Sequence, residues 1–282
     1  MNSKTGTLYI VATPIGNLAD FGIRAAEVLS EVNLILAEDT RHAGKLLKHY
    51  GIETRTRAFH DHNEQTYSAE IIRFLLNGED MALISDAGTP LISDPGYRLV
   101  RMAREQGIDV SPIPGPSALT AAVSASGMAT DRFCFEGFLP SKRNQRIEKL
   151  TGLIQEQRTM VFYESSHRIK DALEDLAAIY REDREICVAR EMTKKFESFY
   201  FGSAVAVREQ IAADFNNLKG EFVIVVSGNT DADEAWANAC TLVNLLVMEL
   251  PAKKACRIAA DTFTVSKNAL YDYVLAGQQS VP

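Results

Sequence analysis

The sequence has few cysteines, no excess of positive charge and no long apolar run, and each shortage removes a class of protein. Its four cysteines, Cys134, Cys187, Cys240 and Cys256, are widely spaced within apolar patterns. That suits reduced core thiols better than a disulfide framework or a zinc site. A net charge of −7 provides no overall basic field of the kind that coats nucleic acid indiscriminately. The longest apolar stretches, such as Leu8 to Ala12 and Phe222 to Val226, fall far short of the ~20 residues that cross a bilayer. No basic segment followed by an apolar one opens the chain, so a cytoplasmic protein with no membrane partner is expected.

What is present is ordinary globular material, 46% hydrophobic and 24% charged over 282 residues, enough for two domains and a small appendage. Positive charge is local. Lys142, Arg143, Arg146 and Lys149 outnumber acids between Pro140 and Lys149, and Lys253, Lys254, Arg257 and Lys267 do so in the tail.

The pattern starts with a strand, Thr7 to Ala12, then the loop Thr13-Pro14-Ile15-Gly16-Asn17-Leu18, a helix, and a strand at Leu34 to Ala37. Strand, loop, helix, strand predicts an α/β unit with a parallel sheet. The first loop has only Gly16 where a dinucleotide fingerprint needs three glycines, which disfavours a nicotinamide dehydrogenase. Glu38-Asp39-Thr40-Arg41-His42 follows the second strand, and its carboxylates suit either proton transfer or a helix cap. Thr56 to Phe59 is expected as a third strand. His60 and His62 come next, without further ligands at metal spacing, and no metal is expected.

Met81 to Gly96 is the most informative stretch. Ala82 to Ile84 reads as a buried strand whose carboxyl end carries Ser85-Asp86-Ala87-Gly88-Thr89-Pro90, and that edge of an open α/β sheet is where ligands bind. Pro95 is expected as the first residue of a helix capped by Asp94, extending to Gln106. A strand to Ile113 then leads to Pro114-Gly115-Pro116-Ser117, with Ser117 expected to cap a small-residue helix, Ala118 to Ser126.

The pattern restarts near Gly127. Strands are expected at Phe133 to Phe138, Thr159 to Tyr163, Glu185 to Ala189, Phe199 to Phe201 and Glu221 to Val226, with a basic helix from Ser141 to Gln157. More alternation in this half predicts a mixed sheet. Asn229 to Glu234 reads as a linker. Two short helices, Ala252 to Thr262 and Ser266 to Leu275, have helix-turn-helix spacing. The division expected is residues 1–126, 127–228 and 229–282.

Six ordered motifs then converge: Thr13 to Leu18, Ala37 to Arg41, Ser85 to Gly96, Pro114 to Leu119, Tyr163 to Arg168 and Arg190 to Glu197. Together they resemble the ribosomal RNA small-subunit methyltransferase I type of the tetrapyrrole methylase superfamily, over residues 6–228 and into the helical tail. The resemblance implies two α/β domains with the cofactor cleft between them, plus a small C-terminal helical extension, usually as a homodimer. It implies S-adenosylmethionine as cofactor and 2′-O-methylation of a cytidine ribose in the decoding region of 16S rRNA, on naked RNA or the small ribosomal subunit. Carried over by position, the cofactor would touch Pro14, Asp86, Ala87, Gly88, Thr89, Ser117, Ala118, Tyr163 and Met192. Tetrapyrrole relatives carry a glycine-rich first loop where this chain has Thr13-Pro14-Ile15-Gly16.

Methyl transfer to a hydroxyl needs alignment, which alone lowers a barrier by roughly 7–11 kcal/mol, and a base. Asp39 or Glu197 is expected as that base, from their position in polar runs after strands, with Lys195 or Arg41 holding a neighbouring phosphate. Lys142, Arg143, Arg146, Lys253, Lys254 and Lys267 are the expected phosphate contacts. A tetrapyrrole C-methyltransferase would share fold and cofactor but has no use for basic helices or a helix-turn-helix tail. A non-enzymatic RNA-binding module would not need the Asp86-to-Gly96 loop.

Overall fold

The computed structural model describes residues 5–180, 184–229 and 232–278. The chain divides into two compact units, residues 1–227 and 228–282.

The first unit contains two five-stranded sheets. The amino-terminal sheet comprises β1 (Thr7–Val11), β2 (Leu34–Ala37), β3 (Thr56–Ala58), β4 (Met81–Ile84) and β5 (Asp109–Ile113), in the order β3-β2-β4-β1-β5 and parallel throughout. Helices α1 (Ile23–Glu31), α2 (Thr40–His49), α3 (Asp61–Leu76), α4 (Tyr97–Glu105) and α5 (Ala118–Ala125) alternate with these strands. A strand buried on both faces reads as a continuous apolar run, and β4 shows the reason. Ala82 and Ile84 pack under α1 and α2, while Met81 and Leu83 pack under α3 and α4. Because β4 is inserted between β1 and β2, its carboxyl end lies centrally, and the loop after it is carried on a rigid strand.

Helix α4 begins at Tyr97, not at Pro95, and Asp94 is not its cap. Gly96 is the N-cap residue at φ +125°, a backbone that an L side chain rarely adopts, and a Cβ there would lie 2.6 Å from Leu83. The capping role passes to α3, whose buried Glu64 accepts the Arg98 N–H at 3.0 Å.

The second sheet comprises β6 (Phe133–Phe138), β7 (Thr159–Ser165), β8 (Glu185–Arg190), β9 (Ser198–Ser203) and β10 (Glu221–Val226), in the order β6-β7-β10-β8-β9. It is mixed, with β6 parallel to β7 and all other pairs antiparallel. One face packs under α6 (Arg143–Gly152), α7 (Ile169–Tyr180) and α8 (Ala204–Ala212). The opposite face, with Val161, Cys187, Ala189, Val223 and Val225, receives Ala122 and Val123 of α5 and Ile15 of the first loop. The small residues of α5 thus allow a helix of the first half to lie closely on the sheet of the second.

The second unit contains α9 (Ala232–Leu246), α10 (Ala252–Phe263) and α11 (Lys267–Gln278) around Ala239, Val243, Cys256, Ala259 and Leu270. Thr264 turns the chain in the left-handed region and the Ser266 hydroxyl accepts the Ala269 N–H, as a helix-turn-helix requires. The linker expectation for Asn229 to Glu234 needs correcting: residues 230 and 231 lie outside the described residues, and α9 already begins at Ala232. Acids suit a helix N-terminus, so their presence there does not argue against a helix. All four cysteines are free thiols. Among the described residues, no helix is long and apolar enough to cross a membrane.

Candidate active site

A cavity of about 360 Å³ lies between the carboxyl end of β4 and the second sheet. Its first wall is the loop after β4, contributing Asp86, Ala87, Gly88, Thr89, Ile92, Ser93 and Asp94. That loop is pinned to the first loop by Thr13 and Gly88, which exchange backbone hydrogen bonds of 2.8 and 3.0 Å. The Thr13 hydroxyl donates to the Ser85 carbonyl at 3.0 Å, and the Thr89 hydroxyl to the Pro116 carbonyl at 3.1 Å. Leu91 (φ 72°) and Ser93 (φ 71°) are both left-handed without being glycine. Such residues cost about 1–3 kcal/mol each and persist where the surroundings fix them, which happens chiefly at functional sites.

The second wall comes from the other half: Phe138, Tyr163, Glu164, Ser165, Met192 and Glu221 to Val223. The antiparallel register of β7 with β10, Glu164 beside Phe222 and Ser165 beside Glu221, brings these residues together. Glu191 (φ 49°) and Thr193 (φ 65°) flank Met192 in a second strained loop. The Lys194 ammonium joins Glu191 at 2.8 Å and Glu221 at 2.9 Å. Its stem crosses Gly16, where a Cβ would stand 2.4 Å from the Lys194 Cγ. A glycine in the first loop therefore lets a lysine of the second half close the cavity's edge.

Ser117 and Ala118 at the start of α5 also line the cavity. Contrary to the sequence reading, the Ser117 side chain makes no capping hydrogen bond, and the Leu119 N–H of the first turn is taken instead by the Tyr163 hydroxyl at 3.1 Å. Eight of the nine expected cofactor contacts, Asp86, Ala87, Gly88, Thr89, Ser117, Ala118, Tyr163 and Met192, share this one cavity. Pro14 does not line it; the adjacent Ile15 does.

The electrostatics single out Asp94. Burial first, then the nearby Glu38, Asp86 and Asp61 carboxylates, push its carboxyl up to about 6, against the partial relief of the Ser85 hydroxyl. Glu38 is raised by burial and by Asp86 and Asp61. Glu164, 3% exposed, is also raised by burial. Its Oε1 is held by the Ser165 N–H at 2.8 Å and by Arg168 at 2.9 Å, while its buried Oε2 has no hydrogen-bond partner among the described residues. Among the described residues, no group of three or more His, Cys, Asp or Glu is placed to hold a metal ion.

The expected bases are positioned differently. Asp39 is the N-cap of α2, accepting the Arg41 N–H at 2.8 Å and pairing with the Arg41 guanidinium, which holds its carboxyl well below the usual range. Its backbone N–H donates to Asp86 at 3.2 Å, so it supports the cavity without lining it. Glu197 is exposed and accepts the Thr193 N–H at 2.6 Å, bracing the Met192 loop. Lys195 is exposed, its ammonium 5.6 Å from the Phe196 ring centre.

Among the basic residues, Arg146 is corrected: it is 2% exposed, with its guanidinium 2.8 Å from buried Asp175 and donating to the Pro140 and Ser141 carbonyls. A side chain so placed reaches no phosphate. Arg143 shares Asp175 at 3.1 Å but stays 71% exposed. Arg41, Lys142, Lys253, Lys254 and Lys267 are exposed.

Sequence reasoning assigned no cavity role to Ile92, Ser93, Phe138, Glu164, Ser165 or Glu221 to Val223, and took Asp94 for a cap. Only the register of β7 with β10 brings Phe222 and Val223 to the cavity, and nothing in an apolar strand signals it.

The family described as tetrapyrrole (corrin/porphyrin) methylases matches residues 7–207, and the RsmI C-terminal HTH domain matches residues 233–278. Ribosomal RNA small subunit methyltransferase I of Haemophilus influenzae is 51% identical over 279 residues, covering 98% of this chain and 99% of its own. The protein of that name from Escherichia coli O157:H7 is 50% identical, covering 98% and 97%. Among solved structures, diphthine synthase superposes with a TM-score of 0.59 at 14% identity, covering 79% of this chain and 90% of its own. The methyltransferase CobJ gives 0.59 at 16%, covering 79% and 95%. At those identities the likeness is one of fold.

Proposed function

The chain belongs to the ribosomal RNA small subunit methyltransferase I family of tetrapyrrole methylases, and from that premise we propose that it transfers a methyl group from S-adenosylmethionine to 16S rRNA. The finer reading is 2′-O-methylation of a cytidine ribose in the decoding region, by a cytoplasmic homodimer. The observation that carries it is the span of the match: about half of the residues are identical over 98% of the chain, a span too long to leave out either the cavity-lining halves or the helical tail. The same reading divides the chain at residues 126 and 228, with the cleft shared by the first two parts.

The cavity suits the cofactor. The Asp86–Thr89 loop with Ser117 and Ala118 at the start of α5 would hold its polar parts, and the Glu164 Oε2 would accept one of its donors. Ile15, Tyr163, Met192 and Phe222 would exclude water. When bound, S-adenosylmethionine supplies an electrophilic methyl group on a sulfonium. Asp94 takes the proton from the attacking hydroxyl: it lines the cavity, its loop is strained into place, and its affinity for a proton suits a general base near neutral pH. Asp39 and Glu197 support it by holding Asp86 and the Met192 loop. A 2′-hydroxyl exists only in RNA, so the chemistry itself selects the polymer. Arg41, Lys142, Arg143, Lys195, Lys253, Lys254 and Lys267 supply phosphate contacts.

The test is transfer of labelled methyl to small ribosomal subunits purified from cells lacking the enzyme, with mapping of the modified nucleotide. A single 2′-O-methylcytidine in the decoding region is expected. Label in no RNA, with transfer to a tetrapyrrole instead, overturns the reading in favour of a small-molecule methylase.

A further inference from the structure

Two loops of the second half present large apolar side chains to solvent where a folded chain has reason to hide them. Phe196 is 63% exposed and Phe215 is 72% exposed. Each ring carries a lysine ammonium near its centre, Lys195 at 5.6 Å and Lys219 at 5.3 Å. Neither lysine has a carboxylate partner among the described residues. The acids of these loops are occupied internally. Glu191 and Glu221 share the Lys194 ammonium, Glu197 accepts the Thr193 N–H, and Asp214 accepts the Asn216 N–H.

The two loops are also tied together. Arg190, only 8% exposed, donates from Nε to the Lys219 carbonyl at 2.7 Å, from one terminal nitrogen to the Phe196 carbonyl at 3.1 Å, and from the other to the Asn216 carbonyl at 2.9 Å. A buried guanidinium satisfied by three loop carbonyls fixes the loops' relative position. Both run directly into the cavity wall, the first from Met192 and the second into Glu221.

We propose that Phe196 and Phe215, with Lys195 and Lys219, form a stacking platform that grips a single-stranded segment of the RNA substrate flanking the target nucleotide. The proposal rests on the rRNA methyltransferase reading and deepens it. Exposed rings with adjacent ammonium groups match what an unpaired RNA strand offers, a flat base on each nucleotide and a phosphate between them. Stacking tolerates any base, so the platform contributes hold while the cavity selects and aligns the reacting ribose.

The test uses the full-length protein and its double variants F196A/F215A and F196W/F215W, all at exposed positions. Affinity is measured for small ribosomal subunits and for a short single-stranded oligoribonucleotide of mixed sequence, with kcat and KM for methyl transfer. The alanine variant is expected to lose roughly tenfold or more in RNA affinity, as one or two lost base stacks imply. KM for the subunit should rise, with kcat and cofactor affinity unchanged. The tryptophan variant should restore affinity, because any aromatic face stacks. Wild-type RNA affinity in the alanine variant, or failure of tryptophan to restore it, overturns the platform while leaving the methyltransferase reading intact. Loss of dimerisation in the alanine variant with RNA affinity kept overturns it too, by assigning the rings to subunit pairing. A wild-type protein that binds neither RNA and methylates no subunit overturns the reading and the platform together.

Discussion

The Tyr163 hydroxyl accepts a hydrogen bond of 3.1 Å from the Leu119 backbone N–H. One side chain of β7 thereby holds the first turn of α5, and the two halves that enclose the cavity are joined at the cavity wall itself. The ring is fixed by edge contacts with Phe135 and Phe138, 4.8 and 5.7 Å between centres.

Tyr163→Phe keeps those ring contacts and removes only the acceptor. An N–H left without its partner costs about 1–3 kcal/mol when buried and less where water reaches it. A loss of about 1 kcal/mol in stability is expected, with S-adenosylmethionine affinity reduced several-fold because the first turn of α5 is no longer held. Thermal unfolding and calorimetric titration read both effects. An unchanged cofactor affinity would remove this contact from the binding site.

Asp94→Asn separates catalysis from stability. The carboxyl moves from an ordinary 3.8 to about 6 on folding, so the folded state binds the extra proton between those values. Stability therefore falls as pH rises through that window, and the whole penalty is present at pH 7. The asparagine variant, which carries no charge to desolvate, should unfold at a higher temperature than wild type at pH 7 and show no advantage near pH 3. It should also lose about 10²–10⁴ in methyl-transfer rate, and the wild-type kcat/KM should rise up to about pH 6 and then level. Full activity in the variant would exclude Asp94 as the base.

Asp39→Ala and Glu197→Ala, made separately, should retain cofactor affinity and lose less rate than Asp94→Asn. The Asp39 contact to Asp86 comes from its backbone N–H, which alanine keeps, whereas Glu197 loses its hold on Thr193. Single-turnover methyl transfer ranks the three. A loss in either alanine variant as deep as in Asp94→Asn would return the role of base to that residue.

How far the sequence reveals this site depends on which force places each residue. The Asp86-to-Thr89 loop is legible because Gly and Pro after a short apolar run specify a βα turn locally. Tyr163 and Met192 come from strand ends whose meeting with that loop depends on how α5 packs on the second sheet, and only the family resemblance points to them. Asp94 and Glu164 illustrate the opposite limit. An acid before Pro-Gly looks like a helix cap, and a glutamate ending a strand looks like surface. Their burial arises from tertiary neighbours that no local pattern encodes. Arg146 fails in the same way, since a basic residue on a short helix reads as exposed until Asp175 of α7 is placed beneath it.

Gly16→Ala should act through Lys194. The added methyl would stand 2.4 Å from Cγ and 2.8 Å from Cε of that lysine, on a backbone at φ +157°. Overpacking of this kind costs about 1–3 kcal/mol. It should also displace the ammonium from Glu191 and Glu221 and slow methyl transfer. In a Lys194→Ala background the obstruction is gone, so the same glycine substitution should cost less by an interaction energy of about 0.5–3 kcal/mol. Strictly additive effects on stability would show that the lysine stem does not rest on Gly16 in solution.

Lys142 and Arg146, four residues apart at the start of α6, should respond to alanine in opposite ways. Arg146→Ala leaves the buried Asp175 carboxylate with Arg143 alone, and breaking a buried ion pair costs about 3–5 kcal/mol. Its effect should appear in unfolding temperature, with RNA affinity per folded molecule unchanged. Lys142 is exposed, so Lys142→Ala should leave stability nearly intact. If it contacts phosphate, removing it weakens RNA binding at low salt and flattens the dependence of log affinity on log salt by about 0.7–0.9, the share of one released counterion. Measuring both quantities in both variants separates a structural cation from a binding one. A salt slope that Lys142→Ala leaves untouched would remove Lys142 from the phosphate contacts and leave them to Arg143 and the exposed lysines of the helical tail.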